Sequence, residues 1–293
     1  MTQPIKPTRR KAHRSAHARL FGSGELNPTP KCAVIVAHPA DEVAGAGCLI
    51  SKLVDVKVLH VTTGAPAPEH GFQDLSEYAE ARKNESLAAL SVANVPNDHV
   101  VDLNIPDHAA SLCLPKLARR IAGFLQQSET DIVVTHPYEG GHPDHDATAF
   151  ATHAALRLLK DAGLKPPVVF EMALHPSPDF KTKVPEFLPG PEGEVTTLLL
   201  DERARELKRR MFDCFETQRE SLRSSPVGPE RFRKPLDYDF TEPPNGGTPY
   251  YENFDWAMTG CEWRGLARNA LAELFPETGS ESSKSVQTRR AGN

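Results

Sequence analysis

Short runs rich in Val and Ile alternate with longer amphipathic stretches through most of this chain, the sequence form of β-α units wound around a parallel sheet. CAVIVA at 32–37 reads as a first buried strand, Val43 to Leu53 as the helix behind it, and VKVLHVT at 56–62 as a second strand closed by Thr63-Gly64-Ala65-Pro66. Apolar and small residues at helical spacing predict a helix over Ser76 to Ala93. A strand at His99 to Leu103, a helix at Ser111 to Gln126 and a strand at Asp131 to Thr135 continue the alternation. A helix from Pro143 to Leu159, strands at Val168 to Ala173 and Thr196 to Leu200, and a charged helix from Asp201 to about Arg219 follow. Ser225 to Tyr250 holds six prolines and reads as a long loop. The expected fold class is α/β, a mainly parallel sheet flanked by helices.

At 293 residues the chain can bury a sizeable core. No apolar run approaches the roughly 18 residues a membrane-spanning helix needs, so no membrane span is expected. Residues 1–30 carry six Lys/Arg against Glu25 alone, a local excess that leaves the rest of a chain of net charge -5 distinctly acidic. With its prolines and no apolar core, this segment reads as a solvated tail rather than a secretory signal or a nucleic-acid arm. The expected division is a basic tail at 1–27, one domain at 28–276 and a second loose end at 277–293. Five cysteines without a C-x-x-C pair suggest neither a disulfide framework nor a thiolate metal site, and point to a reducing, cytoplasmic setting.

Two segments concentrate metal-ligand residue types just past a strand, where open α/β sheets place their sites. The first is Ala37-His38-Pro39-Ala40-Asp41-Glu42 and the second is Gly141-His142-Pro143-Asp144-His145-Asp146. Four of the 12 histidines lie between 136 and 153, where even scatter would put fewer than one. In each segment two such residues stand three apart and can turn into one cavity. An imidazole and a carboxylate from one loop with an imidazole from another make the three protein ligands of a catalytic zinc site, a Lewis acid at neutral pH.

His38-Pro39-Ala40-Asp41-Glu42 resembles the A-H-P-D-D-E signature of the PIG-L / LmbE-like de-N-acetylases, and Gly141-His142-Pro143-Asp144-His145 is similar to that family's second motif. The resemblance covers roughly residues 32 to 175. It implies a Rossmann-like, LmbE-like sheet and zinc-dependent removal of an acetyl group from an N-acetylated amino sugar or sugar conjugate, an amidohydrolase reaction on a linear amide. Carried over by position, it implies His38, Asp41 and His145 as ligands of Zn2+ or another divalent metal. It implies His142 as the group that protonates the leaving amine or stabilises the oxyanion, with Asp144 orienting that imidazole. Arg82 and Asp107 fall where relatives contact the sugar, although a surface salt bridge and a turn residue would explain them equally simply. The partner implied is a small-molecule or glycan substrate and not a nucleic acid.

The departure from the pattern is Ala40, which stands where the family carries the aspartate credited as general base. Loss of such a base removes about 10² to 10⁴ in rate. An introduced silencing substitution, a branch using another base (Glu139 and His142 being no worse placed than Glu42), and a relative that binds metal and sugar without turnover all fit. His142 has a plainer reading as the cap of the helix at Pro143, with Asp144 adding charge to its first turn. Gly45-x-Gly47 lacks the third glycine of a dinucleotide loop, and no G-x-S-x-G elbow is present. Phe72, Tyr78, Tyr138 and the Trp256/Trp263 pair read as core or rim packing.

Overall fold

The computed structural model describes residues 9–22, 29–65, 75–174, 185–187, 194–222 and 227–276. Its strands are β1 (Cys32–Val36), β2 (Val56–Thr62), β3 (Val100–Ile105), β4 (Ile132–Thr135), β5 (Val168–Met172), β6 (Val195–Leu198) and β7 (Glu230–Arg233). They form one sheet in the order β3-β2-β1-β4-β5-β7-β6. The first five run parallel, and β7 is antiparallel to both β5 and β6. The helices are α1 (Arg9–Phe21), α2 (Asp41–Ile50), α3 (Leu75–Val92), α4 (Leu114–Gln127), α5 (Pro143–Asp161), α6 (Glu202–Phe212), α7 (Arg219–Leu222) and α8 (Gly260–Leu274). The expected α/β class, a mainly parallel sheet flanked by helices, is the one found.

The central strands are buried on both faces, which is why they read as continuous apolar runs. Their period of two still sorts the side chains. Ala33 and Ile35 of β1 and Val133 of β4 join the core formed with α4, α5 and α8, while Val34, Val36, Ile132 and Val134 join the opposite core with α1, α2, α3 and α6. In α4 the buried stripe Leu114, Leu117, Ala118, Ile121, Leu125 keeps helical spacing.

Strand order reverses between β1 and β4, because β1 continues to β2 on one side and β4 to β5 on the other. The two His-bearing segments emerge from the carboxyl ends of these neighbours, at the switch point of the sheet.

α2 is not a continuous helix. Ala46 leaves helical geometry at φ -143, ψ 15, and two main-chain donors beyond it turn to an outside acceptor. The Glu230 carboxylate accepts from Cys48 N–H at 2.7 Å and Leu49 N–H at 2.9 Å, while Lys208 Nζ donates to Ala44 O at 2.9 Å and to Glu230 at 2.8 Å. Both charged side chains are essentially inaccessible to solvent. A buried ion pair thus replaces the missing turn of hydrogen bonds. Gly45 sits where a Cβ would lie 2.5 Å from Met172 Sδ, so a larger residue there would have to displace the Met172 side chain.

Several stretches differ from the sequence reading. Residues 9–21, expected within a solvated tail, form α1, whose Ala16 and Leu20 are buried and whose Phe21 packs edge-on against Phe170 at 5.5 Å. The expected helix from Asp201 to Arg219 stops at Phe212. The expected loop contains β7, and α8 follows it with a capping box in which Thr259 and Glu262 exchange hydrogen bonds. Residues 277–293, and Pro66 and Phe72, lie outside the described residues. Among the described residues no helix is long and apolar enough to cross a membrane.

Candidate metal centre

The turn after β1 carries His38 and Asp41 into one point. Asp41 Oδ2 accepts from His38 N–H at 2.9 Å and lies 3.2 Å from His38 Nδ1. Pro143 starts α5 and its first turn brings His145 across, with Nε2 3.3 Å from Asp41 Oδ2 and 3.3 Å from His38 Nδ1. Three ligand atoms therefore stand at mutual separations of 3.2 to 3.3 Å. A tetrahedral ion with bonds of about 2.0 Å requires edges of about 3.3 Å, so the donor set fits a zinc-sized cation.

Other residues fix that set. His38 Nε2 lies 2.8 Å from Asp107 Oδ1 and 3.4 Å from Asp144 Oδ2, which turns Nδ1 toward Asp41 and His145. His136 accepts from Ala37 N–H through Nε2 at 2.9 Å and stacks on His145 at 4.1 Å and 12°, tying the end of β4 to the end of β1. Burial would raise the Asp41 carboxyl, but the imidazoles of His145, His136 and His38 hold it well below the usual carboxylate range. Burial, followed by the neighbouring His136, pushes His145 down to about 4. A carboxylate and a neutral imidazole are the forms in which these groups bind metal. Burial pulls His38 down, and the carboxylates of Asp107, Asp144 and Asp41 outweigh it, holding the ring well above its ordinary value.

His142 is the N-cap of α5, its Nδ1 accepting from Asp144 N–H at 3.1 Å. That bond assigns the proton of the neutral ring to Nε2. Burial first, then His38 and His145, keep His142 well below its ordinary pKa. The Asp144 carboxylate does not orient His142, contrary to expectation. It is fully buried, accepts from His108 N–H at 2.6 Å and Ala110 N–H at 3.1 Å, and faces His38. The reason is that two main-chain donors after β3, His108 and Ala110 N–H, take the carboxylate.

The two residues expected at the sugar have other partners. Arg82, 6% exposed, donates to Gly64 O at 2.8 Å and Pro39 O at 2.7 Å, holding the β1 and β2 turns together. Gly64 has φ 64, and a Cβ there would lie 2.7 Å from the guanidinium, so this approach needs glycine. Asp107 supports His38, with its side chain 20% exposed.

Ala40 is buried and adopts φ 96, ψ -23, a left-handed conformation rare for alanine. Glu42 and Glu139 both have other partners. Glu42, fully buried, accepts from Ala40 N–H at 2.9 Å and Ser86 Oγ at 2.8 Å and sits 3.3 Å from His60. Glu139 is ion-paired with Arg233 at 3.1 Å.

Two residues at the centre carry no motif signal, His108 and Trp256. Trp256 packs on His142 at 4.7 Å and on His108 at 5.1 Å. His108 follows Asp107 directly, and an Asp-His pair after a strand was the available hint. Trp263, by contrast, is fully buried, and Tyr138 lies in the same core.

Residues 33–156 match the model of the family described as GlcNAc-PI de-N-acetylase, PIG-L. No curated protein matches the chain. Among solved structures, the A40926 pseudoaglycone deacetylase Dbv21 is 19% identical with a TM-score of 0.55 over 72% of this chain and 98% of that one. A deacetylase of the teicoplanin biosynthesis pathway is 17% identical with a TM-score of 0.55 over 71% and 98%. GalB, the 4-carboxy-2-hydroxymuconate hydratase from Pseudomonas putida KT2440, is 16% identical with a TM-score of 0.50 over 71% and 98%. The fold therefore hosts more than one chemistry, and the motifs do more than the fold to identify the chain. Residues 33–156, with both His-bearing segments, thus match the PIG-L family model within a chain of LmbE-like fold.

Proposed function

We propose that this chain is a divalent-metal-dependent de-N-acetylase acting on an N-acetylated amino sugar or sugar conjugate, with its hydrolytic step impaired by Ala40. The observation that carries the reading is the His38 Nδ1, Asp41 Oδ2, His145 Nε2 triangle at 3.2 to 3.3 Å beside the strand-order switch. Those three side chains would hold the cation, zinc being the best match to a donor set of two nitrogens and one oxygen. The cation would act as a Lewis acid toward the acetamide carbonyl.

The chain's own groups supply the rest. Asp107 and Asp144 hold the His38 ring, so the donor triangle keeps its shape as a substrate enters. His142 is neutral, with its proton on Nε2, and donates a hydrogen bond to the carbonyl oxygen as negative charge grows there. With Nδ1 fixed by the cap, this ring is a hydrogen-bond donor and not the base that takes a proton from water. Glu42 and Glu139, the carboxylates nearest to hand, are engaged by Ala40 N–H and Ser86 and by Arg233, which favours a second reading in which the chain binds metal and sugar without turning over.

The test is acetate release from N-acetylated amino sugars by the metal-loaded chain and by Ala40→Asp. Activity in Ala40→Asp alone supports a deacetylase scaffold lacking its base. Equal activity in both means another group serves as base. Absence of bound metal together with absence of acetate in both removes the proposal. A cytoplasmic location accords with the free cysteines.

A further inference from the structure

A second set of donors shares a wall with the first. Asp107, His108 and His142 each present one ligand atom, and the three atoms lie within 4.8 Å of one another. Each is pre-set by a different device. His108 has φ 62, a left-handed conformation unfavourable for a non-glycine residue. Its N–H is held there by Asp144 Oδ2 at 2.6 Å and Asp107 Oδ1 at 3.0 Å. Asp107 Oδ1 also meets His38, which leaves Oδ2 to face His108 Nε2 at 3.8 Å. His142 has Nδ1 engaged in the α5 cap, leaving Nε2.

Trp256 packs against both imidazoles and fixes their planes. Side chains 28% exposed at His108 and 20% at Asp107 give solvent access that the fully buried Asp144 lacks. Two imidazoles and one carboxylate suit Zn2+, Co2+, Ni2+ or Cu2+ and not Mg2+ or Ca2+, which take oxygen.

We infer that Asp107, His108 and His142 form a second, weaker site for a transition-metal dication, and that its occupation arrests the reaction by taking Nε2 of His142. The inhibitory consequence rests on the proposed function; the site itself does not. Repulsion from a cation at the first centre makes the second the weaker of the two, and metal in excess of one equivalent is then inhibitory.

The experiment is a Zn2+ titration of chelator-stripped full-length chain by calorimetry, with elemental analysis and the Co2+ absorption spectrum as further readouts. Two equivalents are expected, the second at least about 10²-fold weaker than the first. His108→Asn and His108→Gly, both compatible with positive φ, remove the weak equivalent and keep the tight one. Agreement between the two variants, with melting temperatures near that of the parent, excludes misfolding as the cause. Saturation at one equivalent up to millimolar Zn2+, retention of both equivalents in the His108 variants, or loss of both together overturns the inference. Asp41→Asn separates the two claims, because it should remove the tight equivalent. If it does not, the proposed centre fails while the second site stands.

Discussion

The two loops that meet at the switch point are built differently. The loop after β4 is set first by its own neighbourhood: His142 caps α5, Pro143 sets the first helical residue, and Asp146 accepts from Glu139 and Gly140 N–H at 3.2 and 3.0 Å, to which Arg233 on Glu139 and Trp263 Nε1 on Pro143 O add contacts from a distance. The loop after β1 is held from a distance. Arg82 grips Pro39 O, His60 braces Glu42 beneath Ala40, and the Lys208–Glu230 pair completes the broken helix that follows. The balance differs: the start of α5 has a cap and an Asp146 clasp of its own that the broken α2 lacks, so loss of the Lys208–Glu230 pair should loosen α2 more than the start of α5.

The largest effect expected is chemical. Ala40→Asp should raise acetate release by about 10² to 10⁴, and because aspartate tolerates a left-handed backbone better than alanine, the melting temperature should not fall. Equal rates in parent and variant would show that the β1 loop does not limit the chemistry. Next is Lys208→Met, which leaves the Glu230 carboxylate buried without its cation. A loss of about 3 to 5 kcal/mol is expected, a fall in melting temperature on the order of 10 °C, with hydrogen exchange accelerated in α2 and not at the start of α5. Exchange rising equally in both would erase the distinction.

His60 lies between Glu42 and Asp102, at 3.3 and 3.0 Å. Burial pulls its pKa down, and the two carboxylates overcome this and raise it to about 9. A group raised in the folded state stabilises fully below its unfolded value near 6.5 and loses that contribution as pH rises through the folded value. Denaturant melts should therefore show stability falling between about pH 6.5 and 9 by up to about 3 kcal/mol, and His60→Asn should flatten that slope. An unchanged slope would remove His60 as a brace of the β1 loop. The smallest effect belongs to the β4 loop. His142→Ala should cost about 1 kcal/mol of stability through the lost cap, and in the Ala40→Asp background it should lower turnover about 10²-fold with the tight metal equivalent retained.

The same contrast explains what could be read in advance. The parallel strands were legible because double burial leaves apolar runs, and both His segments were legible because ligand types and spacing are local properties. β7 was not, since Glu230 and Arg233 sit in a sheet by virtue of Lys208, Glu171 and Glu139, partners distant in sequence. α1 hid behind its charge, its anchorage resting on two small patches around Ala16 and Leu20 and on Phe170. α8 carried a readable sign in Thr259-x-x-Glu262. Asp144 was assigned to the wrong histidine because adjacency in sequence placed it by His142, whereas main-chain donors from residues 108 and 110 hold it facing His38.

The splint in α2 also sets an order of events during synthesis. The His38–Asp41 turn is among the first parts of the domain to be made, yet the carboxylate that replaces its helix's missing hydrogen bonds arrives with Glu230, some 180 residues later. Until then Cys48 and Leu49 have no acceptor there, and β1 can pair with β2 without fixing the turn between them. The β4 loop waits in part for the same strand, because Glu139 finds its cation in Arg233, although the cap of α5 is made by its own residues. The chain thus emerges with the cap of α5 able to form early, while both loops of its centre stay incomplete until the last strand of the sheet is added.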